Sequence, residues 1–232
     1  MRRAIVLFDI DGTLVDCAGA GRRSMVAAFH AVTGRADALD QVRFGGMTDR
    51  VIVKLGVEAV GRPTTQAVCD AILDAYVAVL PKELTRASVR VYDGAEELVA
   101  RAHAAGHAVG LGTGNIRAGA QAKLERVGLW GRFDFGGFGC DAELRDDVLA
   151  CGRARGLAWL EARSSIPDAE STVLVVGDTP RDVASAHAIG ARCLAVATGA
   201  ATRADLEAAG AELVVDALTD PAAVRWIEAA GV

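Results

Sequence analysis

The chain has 232 residues, of which 52% are hydrophobic and 24% charged, and its formal net charge is −5. That composition excludes a mostly disordered chain, and at roughly 100–200 residues per domain it predicts one large domain or one domain with an insert. An acidic balance with no polybasic face argues against nucleic acid as a partner, and no apolar run approaches the roughly 20 residues of a membrane span.

The chain starts Met1-Arg2-Arg3, like the charged start of a secretory signal. The apolar run Ala4 to Phe8 then stops at Asp9, too short for a signal's apolar region, so a cytoplasmic protein is expected. Ala4 to Ile10 reads as a buried strand. A helical region follows over about residues 17–90, with apolar residues at helical spacing in Met25 to Val32, Asp49 to Val60 and Thr65 to Leu80. Ser88 to Tyr92 is its first strand-like stretch. Asp93-Gly94-Ala95-Glu96 then predicts a helix start with a capping-box glutamate.

Strands and helices alternate from there. His107 to Thr113, Thr172 to Val176, Arg192 to Ala197 and Glu212 to Val215 read as strands. Ile116 to Val127, Pro180 to Ile189 and Arg203 to Ala209 read as helices, and another is expected to begin near Arg145 after Phe135-Gly136-Gly137-Phe138-Gly139. Alternation of this kind implies right-handed βαβ units, and continuous apolar runs such as Val173 to Val176 suit strands covered on both faces. The expected fold class is α/β, a Rossmann-like parallel sheet with helices on both faces and a small all-helical insert after the first strand. The core is expected over 1–16 and 91–232 and the insert over 17–90. Cys17, Cys69, Cys140, Cys151 and Cys193 form no CxxC pair and read as small hydrophobes rather than a zinc site or disulfide framework.

Three groups of residues can do chemistry. In Asp9-Ile10-Asp11-Gly12-Thr13-Leu14-Val15-Asp16, two carboxylates project to one side of a strand end and Gly12 lets the backbone turn close to a ligand. Neighbouring carboxylates repel, so their pKa values can be driven apart or a divalent cation can settle the repulsion. The plain alternative is an Asp-Gly turn. In Gly110-Leu111-Gly112-Thr113-Gly114-Asn115, a strand end meets a helix N-terminus, a place suited to an anion, with a tight N-capped loop as the alternative. The same glycines lack the spacing of a dinucleotide fingerprint. In Val173 to Asp182, a buried strand delivers Asp178 to its end and Asp182 stands one helical turn on. Such oxygen donors suit Mg²⁺, although Thr179, Pro180 and Asp182 also make an ordinary helix start. All three groups fall at strand C-termini, where open α/β sheets bind ligands.

Together, DIDGTLVD, a strand-end Thr113 and GDTPRD closely resemble the haloacid dehalogenase-like superfamily in its phosphatase branch with a helical cap, similar to phosphoglycolate phosphatases. The resemblance spans almost the whole chain. It implies that Asp9 attacks phosphorus to form an aspartyl-phosphate, and that Asp11 protonates the leaving group and then activates water. It implies that Thr113, with backbone N–H groups around Gly12, Gly114 and Asn115, holds the phosphoryl oxygens. Mg²⁺ would be bound by Asp9, the Asp11 carbonyl and Asp178, with Asp182 acting through water or bracing the site. The superfamily usually has a lysine between the threonine and the last acidic motif. The sequence holds 22 arginines and three lysines, Lys54, Lys82 and Lys123. Lys123 is only ten residues past Thr113 and is expected to face away, so Arg145 is expected to fill the slot.

The helical insert would be the family's cap, with Arg50 and the loop Phe44 to Asp49 as candidate substrate contacts; Arg22 and Arg23 are weaker ones. The expected activity is Mg²⁺-dependent hydrolysis of a small phosphorylated metabolite by a monomer or homodimer. Asp11 argues against C–Cl or C–P cleavage, whose first step needs no protonated leaving oxygen. The alternatives are a phosphomutase of the β-phosphoglucomutase type and, remotely, a non-catalytic phospho-acceptor or a pseudoenzyme.

Overall fold

A computed structural model describes residues 3–163 and 171–231, so the Met1-Arg2 start lies outside the described residues. Strand β1 (Ile5–Phe8) leads through β2 (Val15–Asp16) into three helices, α1 (Ala20–Thr33), α2 (Asp49–Ala59) and α3 (Gln66–Arg86). After β3 (Arg90–Val91), helix and strand alternate: α4 (Ala95–Ala104), β4 (Ala108–Thr113), α5 (Arg117–Glu125), β5 (Phe135–Phe138), α6 (Arg145–Glu161), β6 (Val173–Gly177), α7 (Pro180–Ala188), β7 (Arg192–Val196), α8 (Arg203–Ala208), β8 (Leu213–Val215) and α9 (Pro221–Glu228).

Six strands form one parallel sheet in the order β5-β4-β1-β6-β7-β8. The α/β, Rossmann-like class read from the sequence is the observed one. Successive residues of β1 serve opposite faces, as the two-residue period of a strand requires. Val6 and Phe8 enter one apolar cluster with Leu174, Val176, Leu194 and Val196, while Ile5 and Leu7 enter another with Val175, Cys193 and Ala195. Helices cover both faces, which is why these strands carry no polar side. Cys17, Cys69 and Cys193 are buried, and Cys140 is exposed. No helix among the described residues is long and apolar enough to cross a membrane.

Two local expectations change, and one strand is added that the sequence reading did not assign. The capping box at the start of α4 does not form. Gly94 is the N-cap in the left-handed region at φ 85° and makes no side-chain cap. A Cβ there would collide with the Leu218–Thr219 backbone, so close chain approach selects glycine over a capping side chain. The glycine-rich Phe135–Phe138 is a strand, because α6 packs flush on it; a Cβ on Gly137 would strike the Val148 carbonyl. Helix α3 continues past Leu80 to Arg86.

The helical segment starts and ends at one place. Val15 pairs with Val91 and Asp16 with Arg90 in an antiparallel ribbon, reinforced by an Arg90 Nε–Asp16 Oδ2 ion pair of 3.2 Å. Within the segment α3 packs on α1 and α2, and it also touches α5.

His107 ties the sheet to the C-terminal helix. The Ala4 N–H donates to its Nδ1 at 3.1 Å, and its Nε2 lies 3.0 Å from the Ile227 carbonyl, a pairing that needs the neutral ring. Burial holds its pKa below 6.5, only partly opposed by the bond to Ile227. The folded protein therefore binds fewer protons here than the unfolded chain. The contribution is complete above about pH 6.5 and is lost as pH falls towards the depressed folded value. His107→Gln is expected to lower stability more at pH 7 than at pH 5, read as the wild-type-minus-variant difference in urea midpoint. An equal difference at both pH values contradicts this.

Candidate active site

Strands β4, β1 and β6 lie side by side and parallel, so their C-terminal ends meet at one point. Thr113 is the last residue of β4, Asp9 follows β1 by one residue and Asp178 follows β6. The ladder extends to Asp9, whose N–H donates to the Val176 carbonyl at 2.9 Å. The chain then turns at Gly12, with φ 84° and its carbonyl held by the Thr198 hydroxyl at 2.6 Å. Asp9, Asp178 and Thr113 are 5%, 4% and 0% exposed, burial that for two carboxylates demands compensation.

One side of the site is acidic. Asp9, Asp178 and Asp182 each bring a carboxylate oxygen within 4.8 Å of the others. Asp182 uses Oδ2 to accept the Thr179 N–H at 2.9 Å and the Thr179 hydroxyl at 2.7 Å, closing the capping box that starts α7. Its Oδ1 accepts no hydrogen bond but is ion-paired with Arg145 Nη2. The same guanidinium nitrogen lies 3.0 Å from Asp9 Oδ2 and donates to the Gly112 carbonyl at 3.3 Å. Asp178 Oδ1 accepts from the Thr13 hydroxyl at 3.1 Å.

One guanidinium thus faces three buried carboxylates. Burial pushes Asp9 up to about 6, against the pull of Arg145. Burial, then Asp182 and Asp9, push Asp178 up to about 8. Hard oxygen donors and a surplus of negative charge over one guanidinium are what a hard divalent cation requires.

The other side is built around Asn115, and here the structure corrects the sequence reading. Lys123 faces inward. Its ammonium donates to Asp11 Oδ2 and to Asn115 Oδ1, each at 2.6 Å, and is 4% exposed. The Asn115 amide donates to Asp11 Oδ2 at 2.8 Å and to Thr113 Oγ1 at 2.9 Å. Burial raises the Asp11 pKa, but the Lys123 charge and hydrogen bond outweigh it and hold the carboxyl below its ordinary value. The Asp9–Asp11 pair is driven apart, with Asp11 the more acidic member. The signal for Lys123 was present in the sequence. Ile116, Ala120, Lys123 and Leu124 fall on one face of α5, and Lys123 sits on the buried stripe.

The helical segment closes the site over a cavity of about 270 Å³. Of the residues expected to act there, Asp9, Asp11, Gly12, Thr113, Gly114, Asn115, Arg145 and Asp178 line it, and Asp182 stands behind Arg145. Arg50 is not among the lining residues: it lies one position past Asp49, whose buried side chain takes the cavity-facing place. Arg22 lines the cavity but is committed to holding a loop. It donates to the Leu39 and Val42 carbonyls at 2.6 and 2.9 Å and lies 4.7 Å over the Phe44 ring. Arg23 pairs with Glu83 at 2.9 Å. Met47, Ile52 and Tyr76 supply apolar wall.

Asp49, the last residue of the loop expected to reach the substrate, bonds to the β4–α5 loop on both sides of Asn115. Its N–H donates to the Gly114 carbonyl and its Oδ2 accepts the Ile116 N–H, each at 2.8 Å. Burial pushes its carboxyl up to about 6, opposed by Lys123 and the Ile116 bond. Nearby, the Thr48 hydroxyl donates to the Glu143 carbonyl at 2.7 Å and Arg181 donates to the Gly45 carbonyl at 2.5 Å.

A family model described as haloacid dehalogenase-like hydrolase matches residues 4–190. The chain belongs to that family. Among curated proteins, a phosphoglycolate phosphatase of Mesorhizobium japonicum is 30% identical over 236 aligned positions, covering 100% of both chains. Among solved structures, CbbY of Rhodobacter sphaeroides in complex with xylulose-(1,5)bisphosphate superposes with a TM-score of 0.69 at 19% identity, covering 95% of this chain and 96% of that one. A β-phosphoglucomutase of Clostridium difficile superposes with a TM-score of 0.66 at 15% identity, covering 98% and 97%. Both superpositions establish a shared fold. This haloacid dehalogenase-like hydrolase is an enzyme of the phosphatase kind, the reading already made from DIDGTLVD and GDTPRD.

Proposed function

We propose that the protein hydrolyses small phosphorylated metabolites, with Mg²⁺ as cofactor and an aspartyl-phosphate at Asp9 as intermediate. The observation that carries this reading is the placement of Asp9 between the Arg145–Asp182–Asp178 cluster and the Asp11–Asn115–Thr113 cluster. A phosphoryl group brought to Asp9 meets Arg145 and acidic partners on one side, and on the other Thr113 and Asn115 beside the Asp11–Lys123 ion pair.

Asp9 attacks phosphorus in line with the leaving oxygen. Thr113 and Asn115, with the N–H groups near Gly12 and Gly114, hold the non-bridging oxygens. Arg145 orients the Asp9 carboxylate and offsets its charge in the place the family usually gives to lysine. Asp11 exchanges its ion pair with Lys123 for the substrate, takes up a proton from solvent in doing so, gives that proton to the leaving oxygen and then takes one from the attacking water. Asp9, the Asp11 carbonyl and Asp178 are the residues that would hold Mg²⁺, with Asp182 bracing them. A bound Mg²⁺ supplies charge neutralisation for the phosphoryl group.

The segment 17–90 serves as a cap that excludes water and reads the leaving group. A cavity of about 270 Å³ suits a small metabolite, and the name of the Mesorhizobium relative makes phosphoglycolate the first compound to try. The test is phosphate release from phosphoglycolate, sugar phosphates, nucleotides and pyrophosphate, with Mg²⁺ and with EDTA. Mg²⁺-dependent release is expected. Isomerised sugar phosphate without release would establish a mutase, and no reaction at all would leave a phospho-acceptor.

The carboxyl cluster gives a second expectation. At pH 7 the Asp178 carboxyl, pushed up to about 8, is mostly protonated in the metal-free protein. Metal binding needs the carboxylate, so Mg²⁺ should displace about one proton per ion at pH 7 and almost none at pH 9. Titration calorimetry in buffers of different ionisation enthalpy reads this directly. Heats independent of the buffer at pH 7 contradict it.

A further inference from the structure

Helix α5 begins without a cap of its own. Ile116 stands at its N-cap position and makes no side-chain cap. The acceptor comes from 67 positions away, where Asp49 Oδ2 takes the Ile116 N–H. The Asp49 N–H meanwhile holds the Gly114 carbonyl, so one residue of the helical segment grips the chain on both sides of Asn115. Asn115 is fixed from the far side by the Gly139 N–H, which donates to its carbonyl at 2.8 Å. A Cβ on Gly114 would strike the Met47 carbonyl, so the two loops pack backbone to backbone.

Asp49 is not needed to start its own helix. The N-cap of α2 is Thr48, whose hydroxyl accepts the Val51 N–H at 3.3 Å. The buried Asp49 carboxylate is spent instead on α5, the helix whose N-terminus points at the strand ends.

We propose that Asp49 is a positioning residue for the phosphoryl-binding loop: seating of the helical segment on the strand ends delivers the carboxylate that caps α5 and fixes Asn115. This rests on the phosphatase reading above, in which Asn115 and Thr113 hold the transferring group. Asp49 acts through the Gly114–Ile116 backbone, so its loss acts on the transition state more than on substrate capture.

The test compares Asp49→Ala and Asp49→Asn in the full chain with Mg²⁺ and the best substrate of the phosphate-release panel. Asp49→Ala is expected to lower kcat about 10–100-fold, the scale set by a misplaced binding group, while KM changes far less. Amide hydrogen exchange at Ile116 should accelerate in the same variant. Asp49→Asn keeps an oxygen that accepts the Ile116 N–H and should retain most of the wild-type kcat. That variant decides alone if Asp49→Ala does not fold, because a loss of kcat as large as that predicted for alanine overturns the capping role. A rise in KM with kcat intact in Asp49→Ala makes Asp49 a substrate contact and also overturns it. So does faster Ile116 exchange with unchanged kinetics. Absence of turnover by the wild type overturns the phosphatase reading and this proposal with it, whereas an active wild type beside an unaffected Asp49→Ala overturns the proposal alone.

Discussion

Asp9→Asn is expected to lower kcat by at least about 10⁴-fold, the scale seen when a covalent nucleophile is removed. The amide is nearly isosteric but cannot form an acyl-phosphate. Fold and substrate binding should survive, because Asp9 contributes to the ladder through its backbone N–H to Val176 and its carboxylate is buried at a cost. Removing a buried carboxylate from a cluster with one guanidinium also relieves repulsion from Asp178 and Asp182. The variant should therefore be at least as stable as the wild type at neutral pH. Thermal unfolding beside the kinetic assay checks both halves; residual turnover within tenfold of wild type contradicts the role given to Asp9.

Arg145→Met should have the second largest effect, and on two readouts. Removing the guanidinium leaves three buried carboxylates without their cation, and breaking a buried ion pair from one side typically costs about 3–5 kcal/mol. The remaining carboxyls respond by binding protons more tightly than the unfolded chain does. A carboxyl with a raised folded pKa loses its favourable contribution as pH rises through that value, so the stability deficit should grow from pH 5 to pH 8. Activity should fall about 10²–10³-fold, the scale of losing a preorganised charge beside the reacting group. Arg145→Lys should restore charge and much of the stability but only part of the rate, because an ammonium on a shorter, flexible stem does not reproduce the position of the one guanidinium nitrogen that contacts both Asp9 and Asp182. Urea unfolding at the two pH values and steady-state kinetics of both variants measure this. Arg145→Met with wild-type kcat would remove Arg145 from the site.

What could be read from the sequence followed the strand ends. Asp9, Thr113 and Asp178 stand at the ends of buried strands, with Asp11 two residues past Asp9, and a parallel sheet with one switch in strand order brings such ends together. Thr179, Pro180 and Asp182 read as a helix start and are one, and the same Asp182 also faces Arg145 through its second oxygen. Local capping and a place in the cluster were competing readings; the two oxygens of one carboxylate serve both. Arg145 could be suspected by its position in the chain, but its contact with Asp9 depends on how closely α6 lies on β5, and that closeness is set by Gly137 and Gly152.

The residues that escaped are those whose direction is fixed by docking between distant elements. Lys123 was set aside for its spacing from Thr113, although the apolar stripe of α5 runs through it. A charged residue on such a stripe is a buried partner waiting for its counter-charge, here Asp11. Asp49 ends the loop expected to reach the substrate, and nothing local shows that its carboxylate goes to the Ile116 N–H. Of the expected contacts Asp49 and Arg50, the rotation of α2 on the strand ends gives the cavity-facing place to Asp49. Helical periodicity states which residues share a face, and only the packed structure states which face looks into the site.

The central claim is that phosphate passes through the Asp9 carboxylate. The most direct measurement is to quench the wild type during turnover with Mg²⁺ and substrate, reduce with borohydride and sequence the peptides by mass spectrometry. An acyl-phosphate is reduced to the alcohol, so homoserine is expected in place of Asp9 and at no other aspartate, and only in samples that received substrate. Steady phosphate release with Asp9 unmodified, or homoserine at Asp11 or Asp178 instead, would contradict the account.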